Sequence, residues 1–271
     1  MLLHLIQSLS LAGSDDVPND DRAGLSDRTA WVIDGATDLG PPGLVGARGG
    51  AAWLAQEADL AFAAAAEAPL AEMLAGVAKR LEARFAATRT RAPEGRWELP
   101  IAAMLAVRLE GAALETALLG DCVGLHARGD RVVRFGAEAE SKEAEGANAE
   151  RLGAGAKVRS EALTAALRES RRRAGRVVLG VEPETAAAPV TARLAVAAGD
   201  EVLLMTDGFA ALVDVYAEFD AAALFAAVRA EGLAALAVRL RQMERADAAC
   251  VRWPRFKVSD DATALWVRVL G

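Results

Sequence analysis

Four acidic segments of this 271-residue chain have the residue types and spacing to hold divalent cations. Asn19-Asp20-Asp21-Arg22 lies in a polar stretch near the start. Asp34-Gly35 closes the apolar run Trp31-Val32-Ile33. Asp207-Gly208 closes Val202-Leu203-Leu204-Met205-Thr206, and Asp260-Asp261 stands just before a last apolar run. A strand that ends in Asp-Gly holds the carboxylate rigidly while the glycine lets the backbone turn sharply. Gathered carboxylates repel one another. Two unit charges 4 Å apart cost about 4 kcal/mol at an effective dielectric near 20, so such acids converge stably only where cations neutralise them or some stay protonated. Oxygen ligands without His or Cys suit Mg²⁺ or Mn²⁺ better than Zn²⁺. Taken singly, each of these aspartates reads as a turn or a helix cap. The weight lies in their number and order.

The elements that must position them follow from periodicity. Leu3, Leu5, Leu9 and Leu11 alternate along a first strand, and Gly13 to Asp27 reads as a loop. Thr29–Ile33 is a short buried strand. From about Val45 to Thr90 the pattern is helical, with a break near Pro69. Ile101–Leu109 with Leu114–Leu119, and Cys122–His126 with Arg131–Phe135, read as hairpins. Thr191–Val196 and Glu201–Met205 are expected to pair around Gly199-Asp200. Helical patterns return from Phe219 to about Ala248, and Thr263–Val269 is the last strand. Strands and helices in blocks predict an α+β fold of antiparallel sheets with helices packed outside. One domain spans residues 1–271, and the alanine-rich, charged segment 136–190 is expected to form a variable insertion or flap.

Composition narrows the function classes. A net charge of −7 and a pI near 5.1 argue against broad nucleic-acid binding, which needs a basic surface. No apolar run approaches the ~20 residues of a membrane span. The apolar start carries His4, Gln7, Ser8 and Ser10 and lacks a basic head and a cleavage site, so no signal peptide is expected. The 2 cysteines, Cys122 and Cys250, form no CxxC pair, and free thiols in a cytoplasmic protein are expected.

In motif order the chain resembles the metal-dependent protein phosphatases, the type 2C-like serine/threonine (PPM) family, of bacterial type. Asn19-Asp20-Asp21, Val32-Ile33-Asp34-Gly35, Gly120-Asp121-Cys122, Leu204-Met205-Thr206-Asp207-Gly208 and Asp260-Asp261-Ala262-Thr263 match its motifs in sequence, from the first loop to the last strand. The resemblance implies a four-layer αββα sandwich with two Mg²⁺ or Mn²⁺ ions between the ends of two central sheets. It implies that Asp34 bridges the ions and that Gly35 lends its carbonyl. Asp20 matches the acid of one metal site, Asp207 and Asp260 those of the other. Asp121 matches a weak third site, and Asp21 an acid beside the reacting water. The implied reaction is hydrolysis of phosphoserine or phosphothreonine on a protein substrate, by water or hydroxide bridging the ions, with Asp34, Asp207 and Asp21 as the catalytic acids. The implied protein acts without a nucleic-acid or membrane partner, and a monomer is favoured.

The sequence departs from the family pattern in places. The histidine of many members is Ala36 here. The arginine that precedes the first motif is replaced by Ser14-Asp15-Asp16-Val17, leaving Arg22 and Arg48 as substitutes without positional support. The second acid of the Asp-Gly-x-x-Asp segment is Ala211, which weakens a third metal, and Asp20 is one methylene shorter than the usual glutamate. Two rivals stand beside this reading: a non-enzymatic pseudophosphatase, favoured by Ala36 and Ala211, and a haloacid-dehalogenase-like phosphatase with Asp34 as nucleophile, disfavoured by Ala36 where its acid would stand. Among the remaining residues, His126 is read as a solvent-facing strand residue, His4 as structural, Cys122 as packing beneath the site and Trp31 as core. Arg171-Arg172-Arg173 is read as a solvated helix end that could meet an acidic partner.

Overall fold

In a computed structural model, which describes residues 1–138, 161–173 and 175–271, eleven strands form two antiparallel sheets. The strands are β1 (Leu2–Leu11), β2 (Arg22–Leu25), β3 (Thr29–Gly35), β4 (Ile101–Glu110), β5 (Ala113–Leu119), β6 (Val123–Arg128), β7 (Arg131–Gly136), β8 (Leu179–Gly180), β9 (Val190–Ala195), β10 (Glu201–Met205) and β11 (Ala262–Leu270). One sheet has the order β1-β11-β10-β6-β7. The other has the order β2-β3-β4-β5-β9, with β8 paired to β4. Every pairing is antiparallel. The helices are α1 (Gly50–Ala65), α2 (Leu70–Thr88), α3 (Glu161–Arg172), α4 (Asp207–Asp214), α5 (Ala221–Glu231) and α6 (Leu233–Ala246).

Side-chain parity explains the layers. Successive residues of a strand point to opposite faces. Along β3 and β4, Ala30, Val32, Leu105 and Val107 join one core cluster, which reaches β6, β10 and β11 of the other sheet. Trp31, Ile33, Met104 and Ala106 join a second cluster with α1 and α2. Both faces of β3 and β4 are therefore covered, which is why these strands read as continuous apolar runs. Helices α4, α5 and α6 pack on the outer side of the five-stranded sheet. Trp31 is core as expected: it is buried, stacks on Phe62 and donates its indole N–H to Asp59.

Local signals set most boundaries. Asp38 accepts from the N–H of Gly50 at the start of α1, and Asp220 accepts from Ala223 N–H at the start of α5. Gly232, at φ 81°, separates α5 from α6. The two central hairpins, β4–β5 and β6–β7, pair as the sequence predicts.

Four expectations are corrected. Arg22–Leu25, read as loop, is an edge strand on β3. Asp207-Gly208, read as the turn that closes a strand, opens a helix, Asp207–Asp214, ahead of the helical pattern expected from Phe219. Thr191–Val196 and Glu201–Met205 do not pair: β9 adds to β5, and β10 lies between β6 and β11 in the other sheet. His126 does not face solvent. It is 8% exposed and its Nε2 lies 2.8 Å from Asp200 Oδ2. Both of the last corrections have one cause. The chain crosses between sheets at Ala197–Asp200, and the crossing is tied by the Asp200 carboxylate, which also accepts from Arg128 and from the N–H of Ala197. Of the expected insertion, 136–190, the described part contributes α3, β8 and the start of β9. Residues 139–160 and 174 lie outside the described residues.

Burial alone would raise the Asp200 carboxyl, but Arg128 and His126 outweigh it and hold it at about 2. Asp200→Ala should destabilise the chain by about 3 kcal/mol, since it strands buried partners. The stability supplied by this carboxylate is present above pH ~4 and is lost as pH falls toward ~2. Denaturant titrations of both proteins at pH 7 and pH 3 check this. The gap between them should shrink at the lower pH.

Candidate active site

Asp34 reaches the site by parity. It shares a face with Ala30 and Val32, so it points between the sheets, at the end of β3 where the core gives way to a cleft of about 390 Å³. Asp34, Asp121, Asp207 and Asp260 all line that cleft. Asp207 comes from the first turn of α4, immediately after β10, where unpaired helix N–H groups favour a carboxylate. Asp121 follows β5, and Asp260 precedes β11. The carboxyls of Asp34 and Asp207 hydrogen-bond to each other. Residues 173 positions apart in the chain therefore meet as the sequence predicts.

Asp20 and Asp21 stand behind this group, on the loop that enters β2. Asp21 is 1% exposed. Its Oδ2 accepts from Thr206 Oγ1 at 2.7 Å, while its Oδ1 is buried without a partner among the described residues. The loop is pinned from the far end of the chain. Asp261 accepts from Gly13 N–H at 2.7 Å and from Asp20 N–H at 2.6 Å. Asn19 Oδ1 accepts from Asp21 N–H, and its amide reaches Ser10, which contacts Thr263. Arg241 of α6 donates to the carbonyls of Ala12 and Asp260. Two glycines permit the close approach. A Cβ on Gly35 would lie 2.7 Å from the Asp20 carbonyl oxygen, and one on Gly208 would lie 1.9 Å from that of Asp261.

The electrostatics are those of crowded acids. Burial, then Asp207, Asp21 and Asp121, push the Asp34 carboxyl well above the usual carboxylate range. Burial pushes Asp21 the same way, opposed by Thr206 and reinforced by Asp260, Asp261 and Asp207. Asp20 is pushed up to about 7, by burial first and then by Asp261 and Asp38. Cys122, fully buried beneath the acids as expected, has its thiol raised by burial and by Asp34, which makes it unreactive. Lys257 supplies a cation from the loop before β11 and pairs with Asp260. Burial would lower its pKa, but Asp260, Asp207 and Asp34 outweigh that and raise it. Its side chain is 41% exposed, so it sits at the mouth of the cleft.

Among the described residues no three His, Cys, Asp or Glu side chains are arranged to hold one metal ion. The Asp34–Asp207 carboxyl pair and the Lys257–Asp260 ion pair engage the groups instead. The donor set nonetheless fits hard divalent cations: it is all oxygen, it is held together against its own repulsion, and Asp21 keeps a buried oxygen without a partner. Asp20, Asp34, Asp207, Asp260 and Asp121, with the Gly35 carbonyl, are the groups that could hold ions in place of the Asp34–Asp207 and Lys257–Asp260 contacts.

Sequence reasoning missed several participants. Thr206 and Asp261 lay inside quoted motifs, yet only the three-dimensional contacts show that they position Asp21 and Asp20. Lys257 and Arg176 line the cleft without a local signal, and Arg171, read as part of a solvated helix end, lines it too and donates to the Thr37 carbonyl. Arg22 and Arg48 do not line it. Arg22 donates to the carbonyls of Asn19 and Asp21 and so braces the acidic loop.

No family model matches the sequence, and no curated protein matches it significantly. Solved structures do match in fold. The serine/threonine phosphatase PstP/Ppp of Mycobacterium tuberculosis is 18% identical, with a TM-score of 0.61 and all of both chains covered. The catalytic domain of PstP in complex with 2 manganese ions is 17% identical, with a TM-score of 0.58 over 100% of this chain and 99% of that one. The PPM Ser-Thr phosphatase MsPP of Mycobacterium smegmatis, in complex with cacodylate, is 17% identical, with a TM-score of 0.55 over 98% and 99% of the two chains. The chain thus has the four-layer fold of the PPM phosphatases, as the motif order implies.

A carboxyl held above its unfolded pKa favours the fold while protonated, and that stability is lost as pH climbs through the folded value. For Asp20 the window runs from 3.8 to about 7, and Asp34 and Asp21 shift in the same direction. In a chelator, the melting temperature should fall as pH rises from 5 to 8. Saturating Mn²⁺ should abolish that fall. A flat profile in the chelator would contradict the described crowding.

Proposed function

We propose that this chain is a metal-dependent phosphatase of the PPM type that hydrolyses phosphate monoesters, with phosphoserine and phosphothreonine on proteins as its substrates. The observation that carries the proposal is the meeting of Asp34 and Asp207 with Asp121 and Asp260 in one cleft, backed by the buried Asp21. The likeness in fold to protein phosphatases, one of them bound to 2 manganese ions, supports it. No helix among the described residues is long and apolar enough to cross a membrane.

When bound, a pair of divalent ions lowers the pKa of water and offsets charge on the phosphoryl oxygens. The chain's own residues do the rest. Asp34 shares the cleft with Asp207 and Asp121 and feels the charge of both, and it is the carboxylate that would hold both ions. Asp20 and Asp260 would complete the set, and Asp121 would hold a weak third ion. Asp21 Oδ1, whose partner oxygen is fixed by Thr206, is the acceptor for a proton of the attacking water. Ala36 offers no proton to the leaving group, so poor leaving groups are the slow substrates. Attack by Asp34 itself is disfavoured. Ala36 occupies the position from which an acid would have to protonate the leaving group in that mechanism.

The test is Mn²⁺-dependent release of phosphate from an aryl phosphate. Asp34→Asn should lower kcat by on the order of 10³ or more, as loss of transition-state charge stabilisation does. No acid-stable phosphate should remain on the protein after quenching. Equal turnover by wild type and Asp34→Asn would refute catalysis at this site. A chain that binds Mn²⁺ by calorimetry but releases no phosphate would be a pseudophosphatase.

A further inference from the structure

The cleft that holds the acids also has a cationic wall, Arg171 and Arg176, that the reaction as described does not use. Its foundation is α3. Arg168 donates twice to the Leu39 carbonyl, at 3.1 and 2.7 Å, and lays its guanidinium 3.9 Å over the Trp97 ring. Arg171 donates to the Thr37 carbonyl at 2.8 Å. Both carbonyls belong to the segment that follows Asp34-Gly35, so α3 is bolted to the backbone that carries the central aspartate.

Beyond α3 the chain brings Arg176 to the same wall. Arg171 and Arg176 line the main cleft, and both also line a smaller recess that opens beside it, together with Arg96, Arg173, Glu182 and Thr185. The charge in this recess is one-sided. Among the described residues Glu182 is its one acid, and Arg96 is already paired with it at 2.6 Å. Arg176 makes a hydrogen bond to Ser170 Oγ at 3.2 Å and no ion pair among the described residues. Burial lowers its pKa, and the Asp121 charge opposes that shift. Arg173 is exposed at the rim. In a chain of net charge −7, four arginines against one acid, Glu182, among the described residues that line this recess are a local reversal of sign. Guanidinium forks match carboxylate and phosphate oxygens in pairs, the chemistry by which arginine clusters take phosphorylated and acidic peptides.

We propose that Arg173 and Arg176, with Arg171 and Arg96 behind them, form a second anion subsite next to the reacting phosphate. The preferred substrate is then a phosphoprotein segment with a further negative group beside the phosphorylated residue, either an acidic side chain or a second phosphate. This rests on the phosphatase reading and narrows its substrate class.

The test uses three phosphopeptides of equal length, with neutral flanks, acidic flanks or a second phosphate. They are assayed with the full Mn²⁺-loaded chain and with Arg173→Gln and Arg176→Gln. The wild type should prefer both charged peptides by on the order of 10-fold in kcat/KM, the gain appearing in KM and shrinking with salt. Each variant should cut that preference several-fold. Preference for one charged peptide alone identifies its group as the ligand. Equal kcat/KM for all three peptides in the wild type, or an undiminished preference in both variants, overturns the subsite. Fluorescence anisotropy of the same labelled peptides on Asp34→Asn protein keeps the question separate from turnover. If no peptide is hydrolysed, the phosphatase reading fails, while tighter binding of the charged peptides that is lost in Arg173→Gln would still establish the subsite, and equal binding would overturn it.

Discussion

Mutual repulsion among buried carboxylates governs this structure. Asp34, Asp207 and Asp21 are packed closely enough that Asp34 and Asp207 share a hydrogen bond and Asp21 keeps a buried oxygen unpartnered. An apolar cluster of the same volume would be easier to fold. The chain tolerates the cost because the acids are carried by elements that cannot retreat. Asp34 ends a strand covered on both faces, and Asp207 is wedged between β10 and α4.

The restraint comes from contacts between distant parts of the sequence. Asp261 clamps the first loop through two backbone N–H groups, Thr206 fixes Asp21, and Arg241 ties the loop carbonyls to Asp260. These bonds order the acids before any cation arrives, which is what preorganised electrostatic catalysis requires. Lys257, paired with Asp260, is a local counter-charge that a divalent ion would displace.

The acids were legible in the sequence because their positions obey local rules: a buried strand must stop somewhere, and Asp-Gly marks where. The layered fold was legible for the same reason, from period-two runs and hairpin turns. What was not legible depends on partners far along the chain. Nothing local in Thr191–Met205 says that its two strands belong to different sheets, since Gly199-Asp200 reads as a hairpin turn. The information sits in Asp200, whose partners Arg128 and His126 lie over seventy residues earlier. The Asp207 helix was obscured because Asp-Gly signals a turn and a helix start equally well. Arg176 and Lys257 carry no motif, and only the cleft shows what they face.

The most direct measurement is anomalous diffraction from a crystal of the chain soaked in Mn²⁺. Two peaks ~4 Å apart or closer, flanking the Asp34 carboxylate, with Asp207 and Asp260 on one and Asp20 toward the other and Lys257 turned away, are predicted. A soaked crystal with no peak at Asp34, and with its hydrogen bond to Asp207 intact, would show that this cage of acids is not built for metal.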